Sequence, residues 1–217
     1  MTRALVVCGT DTGIGKTVVA AALAGLIGAD YWKPIQTGLD GETDRETVMR
    51  LAQLDARRAH GEAYRLKSPA SPHRAAELDG IDIDTSRLIP PQTSSPLLIE
   101  PVGGLLVPLT RQVLQIDVIA RWAKPVVLVA STRLGTINHT LMSVTALRAL
   151  RLSIAGLVFT GEENNDTQHT IADFTQLPVL GRLPHLNPLD SASLQDAART
   201  CLDIAPVLAA WEHTHDS

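Results

Sequence analysis

Gly9-Thr10-Asp11-Thr12-Gly13-Ile14-Gly15-Lys16-Thr17 follows the apolar run Ala4-Leu5-Val6-Val7-Cys8 and precedes Val18-Val19-Ala20-Ala21-Ala22-Leu23. A strand that turns through glycines into a helix, with Lys and Thr at the exit of the turn, has the sequence form of a cradle for nucleotide phosphates. Gly9, Gly13 and Gly15 let the backbone curl with its N–H groups pointing inward. Lys16 sets a cation beside the outer phosphates, and Thr17 offers a hydroxyl to Mg²⁺. Five residues, Thr10 to Ile14, separate Gly9 from Gly15-Lys16 where four are usual, so the loop is a variant one. A plain strand-to-helix turn would use the glycines but leave Lys16 and Thr17 without a role.

Further β-branched runs bounded by turns stand at Leu97–Glu100, Pro125–Ala130, Ile154–Phe159 and Pro178–Leu183, and a shorter one at Asp30–Lys33. Segments with apolar positions at threes and fours separate them: Lys16–Ile27, Glu42–Leu54, Leu114–Trp122, Asn138–Leu150, Asp166–Gln176 and Ser191–Trp211, with a shorter helix over Ser71–Leu78. This alternation predicts a parallel sheet buried on both faces by helices. The stretch from Ala59 to Pro96, richer in Pro, Ser and Asp, reads either as an excursion over the active site or as a long connection. At 217 residues, one domain over 1–217 is expected.

A net charge of −4 with scattered Lys and Arg argues against a nucleic-acid partner. Met1-Thr2-Arg3 leads directly into the first strand, and no apolar run approaches the ~18 residues of a membrane span. A cytoplasmic protein without a signal peptide is therefore expected. Cys8 and Cys201 form no CxxC pair and read as structural, and none of the seven histidines has metal-site spacing.

In open α/β sheets ligands sit beyond the carboxyl ends of the strands. Those ends carry Lys33-Pro34-Ile35-Gln36-Thr37-Gly38, Glu100-Pro101-Val102-Gly103-Gly104, and Ser131-Thr132-Arg133-Leu134-Gly135-Thr136-Ile137-Asn138-His139. Together with Gly9–Thr17 and the triplet Ser71-Pro72-His73, these segments resemble, in their order, the dethiobiotin synthetases over roughly residues 4 to 186. The resemblance implies a three-layer P-loop NTPase-like α/β fold, its central sheet mostly parallel. It also implies a homodimer that joins CO2 to 7,8-diaminononanoate and closes a cyclic urea at the expense of ATP.

Carried over residue by residue, the resemblance implies that Lys16 and Lys33 are catalytic. Gly13, Ile14, Gly15, Lys16, Thr17, Val18, Asp44, Glu100, Pro101, Val102, Gly103 and Thr160 would hold the nucleotide, and Thr17, Asp44 and Glu100 the Mg²⁺. Thr12, Thr37, Gly135, Thr136 and Asn138 would bind the diamine, the last three taking its carboxylate tail from the partner subunit. From the residues alone, alternative readings stand beside these: Asp44 as the N-cap of Arg45–Leu54, Asn138 as the cap of Thr140–Leu150, and Glu100 as half of a structural ion pair.

The chain departs from the family pattern at Gly13, where some members have an acid, and at Pro101-Val102, where Gly-Ala is frequent. It also carries Thr160-Gly161 where Asn often stands, and relaxed base selectivity or weaker ATP affinity is expected from that change. Two other functions share this fold: a partitioning-type ATPase switch and a related P-loop amidoligase. The switch lacks support in Thr10-Asp11-Thr12, where such proteins usually carry an early second lysine.

Overall fold

The computed structural model describes residues 3–212. Its frame is a seven-stranded sheet in the order β4-β2-β6-β1-β7-β8-β9, formed by β1 (Ala4–Gly9), β2 (Asp30–Trp32), β4 (Ala59–His60), β6 (Leu97–Ile99), β7 (Val126–Ser131), β8 (Ile154–Thr160) and β9 (Val179–Leu183). Every neighbouring pair is parallel. β1 explains why both faces are covered, since all six of its residues are buried. Leu5 and Val7 enter one hydrophobic cluster with Val19, Leu23, Val48, Leu51 and Leu194. Ala4, Val6 and Cys8 enter another with Ile116, Ile119, Val144, Leu147 and Ile171. Successive strand side chains point to opposite faces, so a wholly apolar strand requires a helical layer on each. The first layer holds α1 (Lys16–Ile27), α2 (Asp44–Ala52), α7 (Ser191–Cys201) and α8 (Ala205–Glu212). The second holds α4 (Gln115–Trp122), α5 (Thr136–Ala149) and α6 (Asn165–Thr175).

The uncertain stretch folds into a small lobe. β3 (Ile35–Thr37) pairs in parallel with β5 (Tyr64–Leu66), and α3 (Pro72–Asp79) packs on both. Ile35, Tyr64, Leu66, Ala75, Leu88 and Leu109 form its core. Because β3 directly follows Lys33-Pro34, the lobe braces the segment that leaves β2 toward the site. The sequence pattern predicts neither β3, β4 nor β5.

Two helix expectations need correction. The helix read over Ser191–Trp211 is two helices, broken at Leu202, whose φ and ψ of −116° and 129° are extended. Asp203 N–H donates to the Leu180 carbonyl of β9, the Asp203 carboxylate accepts from Ala205 N–H, and Pro206 has no N–H with which to continue a helix. The helix read from Asn138 begins at Thr136, after Gly135, with no side chain capping it. Asn138 therefore lies inside the first turn and is not the cap.

Candidate active site

Strand register brings the candidate residues together. β6 lies between β2 and β1, with Trp32 opposite Ile99 and Ile99 opposite Val6, so Lys33, Glu100 and the loop after Gly9 emerge side by side. Glu100 N–H donates to the Trp32 carbonyl at 3.0 Å, which sets Glu100 directly beside Lys33. With a side-chain period of two, Tyr31 and Lys33, and Leu98 and Glu100, share the face that packs on α1 and α2. Thr17 of α1 and Asp44 of α2 complete the group.

Its contacts are short. Lys33 Nζ lies 2.5 Å from Asp44 Oδ2 and 3.1 Å from Glu100 Oε1. Thr17 Oγ1 lies 2.9 Å from both Asp44 Oδ1 and Glu100 Oε1, and its single proton serves one of them at a time. Lys16 Nζ donates to the Asp11 carbonyl at 2.9 Å, within its own loop. Glu100 is fully buried and Lys33 is 3% exposed. Burial opposes the Lys33 charge, but Glu100 and Asp44 outweigh it and hold the ammonium above its ordinary value. Burial lowers Lys16, and the nearby charge of Lys33 adds to that fall against the pull of Glu100 and Asp44. For Asp44 burial acts upward, but Lys33, with Thr17 and Lys16, draws its carboxyl below the usual range.

Asp44 does not cap α2. Thr43 does, accepting from Glu46 N–H, while the Glu46 carboxylate accepts from Thr43 N–H at 2.8 Å. This reciprocal capping box leaves the Asp44 side chain for Lys33 and Thr17. Gln36, buried on β3, accepts from Asp44 N–H at 3.3 Å and donates to the Thr37 carbonyl at 3.0 Å, tying the lobe to the start of α2.

Tyr31 is the contributor that sequence reasoning missed. Its fully buried hydroxyl donates to Glu100 Oε2 at 2.8 Å, which leaves Oε1 facing Thr17 and Lys33. Burial, with the Glu100 charge beside it, pushes the phenol well above its ordinary value, so it remains a donor. Its position two residues before Lys33 on one strand is the signal that could have found it. Tyr31→Phe leaves one buried carboxylate oxygen without this donor and is expected to cost about 1.5–3 kcal/mol of stability, measured by urea denaturation.

The other candidates are spread around this centre. Thr12 is exposed, 3.6 Å from where a Cβ on Gly103 would stand. Gly104 packs on the backbone of Gly9–Asp11, and the Gln115 side chain donates to its carbonyl at 2.9 Å. Pro101 is buried, Val102 packs against the lobe, and Val18 is half-buried on α1. Thr37 ends β3. Gly135 and Asn138 are exposed at the end of β7, across β1 from Lys33, whereas the Thr136 side chain is buried and turned toward Thr140. His73 Nδ1 lies 3.1 Å from Ser71 Oγ and 3.3 Å from the Pro108 carbonyl. Cys8 is buried beneath the loop, which pushes its thiol up to about 12. Among the described residues no cluster of three His, Cys, Asp or Glu could hold a metal ion; the donors gathered here are one hydroxyl and two carboxylates.

A glycine loop running from a parallel strand into a helix, with a buried lysine at its exit and a carboxylate at the neighbouring strand end, defines a P-loop nucleotide-dependent protein. Similar folds occur in a ParA family ATPase from Chlorobium tepidum (TM-score 0.53, 12% identity, 91% of this chain and 98% of that one) and a plasmid partition protein from Borrelia burgdorferi (TM-score 0.55, 11% identity, 92% and 97%). At such identities the likeness concerns the fold alone. The family described as an AAA domain matches residues 3–193. Proteins named ATP-dependent dethiobiotin synthetase BioD from Nitrobacter hamburgensis and Rhodopseudomonas palustris are each 55% identical over 197 residues, covering 91% of this chain and 93% of theirs. The protein of that name from Brucella anthropi is 50% identical over 204 residues, covering 94% and 96%. The chain belongs to the ATP-dependent dethiobiotin synthetase family.

Proposed function

We propose that the chain, acting as one domain, joins CO2 to 7,8-diaminononanoate with ATP to give dethiobiotin, ADP and phosphate, and that the chemistry occurs where Lys33 meets the loop of Lys16. The observation that carries this reading is a buried ammonium fixed by two carboxylates at the mouth of a phosphate cradle. One substrate amine attacks CO2 and loses a proton to give a carbamate, whose oxygen attacks the γ-phosphorus of ATP. The new O–P bond forms as the bond to the β-phosphate oxygen breaks, releasing ADP.

Both reactants are anions, and Lys16 and Lys33 offset their repulsion. Asp44 and Glu100 engage two of the three Lys33 donors, leaving the third for an oxygen of the transferring group. The second amine then attacks the carbamoyl carbon, the C–O bond to phosphate breaks, and the amine loses its proton as the ring closes. Holding both nitrogens on one substrate makes that step intramolecular.

Thr17, Asp44 and Glu100 would hold Mg²⁺, since a hydroxyl and two carboxylates are the hard oxygen donors this ion takes. When bound, it supplies further positive charge against the phosphate oxygens. Thr12 and Thr37 are assigned to the reacting end of the diamine, and Gly135, Thr136 and Asn138 to its carboxylate, reached from a second copy of the chain. Leu134, just before α5, and Met142 on it are large apolar side chains exposed on either side of Asn138 in the sequence, which supports a homodimer on this side. No helix among the described residues is long and apolar enough to cross a membrane.

Phosphate release by purified protein is the test. It should rise only when diamine and bicarbonate are both present, with dethiobiotin formed in step. Release stimulated by DNA or lipid vesicles would instead favour a partitioning switch.

A further inference from the structure

Thr160 closes β8, and its hydroxyl donates to the Ile14 carbonyl oxygen at 2.6 Å, joining residues 146 positions apart. Ile14 is therefore held twice: its side chain is buried in the core cluster on the α1 face, and its carbonyl is bound to the strand. The next residue, Gly15, has φ of 90°, and a Cβ there would stand 3.3 Å from the Thr160 methyl. In a planar trans peptide the C=O and N–H point in opposite directions. A carbonyl of Ile14 aimed at β8 consequently directs the Gly15 N–H away from the strand.

We propose that Thr160 is a positioning residue that clamps the Ile14–Gly15 peptide so that the loop presents its N–H to a nucleotide phosphate, and that its hydroxyl does not read the base. That hydroxyl carries a single proton, and Ile14 takes it, so none is left to donate to a base. The Thr160 carbonyl accepts from Thr132 N–H at 3.0 Å, and Thr160 stands in register with Ser131 and Leu183 on the two flanking strands. The clamp is thus anchored in the sheet, whereas the loop it holds is rich in glycine. This inference rests on reading Gly9–Thr17 as the phosphate cradle. It gives a different role to a position that the family resemblance counts among those holding the nucleotide.

The test measures competitive binding of ATP, GTP, CTP and inorganic tripolyphosphate, each with Mg²⁺, to wild type, Thr160→Ala and Thr160→Ser. Loss of the hydroxyl in Thr160→Ala should weaken all four by the same factor, about tenfold, with kcat at saturating ATP changed by less than about threefold. Thr160→Ser lacks only the methyl and should bind all four as wild type does. Thr160→Val provides a second side chain without a donor should the alanine variant not fold. Weakening of ATP with tripolyphosphate unaffected would mean that Thr160 reads the base, and equal binding by wild type and Thr160→Ala would mean that the bond is idle. Either result overturns the proposal. Failure of wild type to bind tripolyphosphate or any nucleotide would instead overturn the phosphate-cradle reading, and the clamp with it.

Discussion

Lys33→Ala is expected to lower turnover by about 10²- to 10³-fold while changing the ATP dissociation constant only a few-fold, as read from steady-state kcat beside calorimetric nucleotide binding. On the proposed reading the loop and Lys16 hold the nucleotide, whereas Lys33, at the next strand end but one, acts on the group that moves. Its charge therefore matters most when negative oxygens converge. The variant should also be less stable before ligands are added. Removing the ammonium leaves fully buried Glu100 and its neighbour Asp44 with no counter-ion at the position now 3.1 and 2.5 Å from them, and breaking such a buried pair costs about 3–5 kcal/mol. Millimolar Mg²⁺ should recover part of that loss in Lys33→Ala and have a smaller effect on wild type, because the same carboxylates would receive either cation. A variant that loses nucleotide binding yet turns over normally at saturating ATP would put Lys33 in the wrong role.

Gly181→Ala is expected to be the most damaging single-methyl change in the sheet. Gly181 has φ of 133°, a region essentially reserved for glycine, and a Cβ there would stand 1.8 Å from the Cys201 carbonyl oxygen. The close approach exists because the chain leaves α7 at Leu202 and pairs against Gly181 as an isolated antiparallel bridge before α8 begins. Neither backbone can move without loosening β9 from the helices covering it. The added methyl should cost at least about 3 kcal/mol through strain and overpacking, lowering Tm by about 6–12 °C. Thermal unfolding of the variant beside Gly80→Ala, at a glycine with left-handed φ (68°) and open space around it, shows how far the loss exceeds that of an unhindered positive-φ site.

The same region marks where the sequence ceased to be legible. Periodicity carries from α7 across 202–204 because Leu202, Ile204 and Val207 suit a continuing apolar face. The break depends instead on Asp203 bonding β9, a tertiary contact without local signature beyond Pro206. β1, β7 and β8 were readable because each is a long apolar run requiring burial on both faces. β3, β4 and β5 were not, since two or three residues such as Ala59-His60 or Tyr64-Arg65-Leu66 become strands only when a neighbour supplies the pairing.

At the site, the cradle from Gly9 to Thr17 is visible in residue types alone, and the gathering of Lys33, Asp44 and Glu100 was implied by family resemblance. Thr43-x-x-Glu46 carried a capping-box signal that would have removed the cap reading from Asp44. Tyr31 and the clamp at Thr160 depend on which strands are neighbours and in what register, which no linear pattern displays.

The central claim is that a carbamate oxygen attacks the γ-phosphate between Lys16 and Lys33. Following ¹⁸O from labelled bicarbonate into the products, in a reaction fast relative to solvent exchange, tests it most directly. The account requires one labelled oxygen in each phosphate released and one in the new ureido carbonyl, in equal amounts; phosphate carrying oxygen from water alone would contradict it.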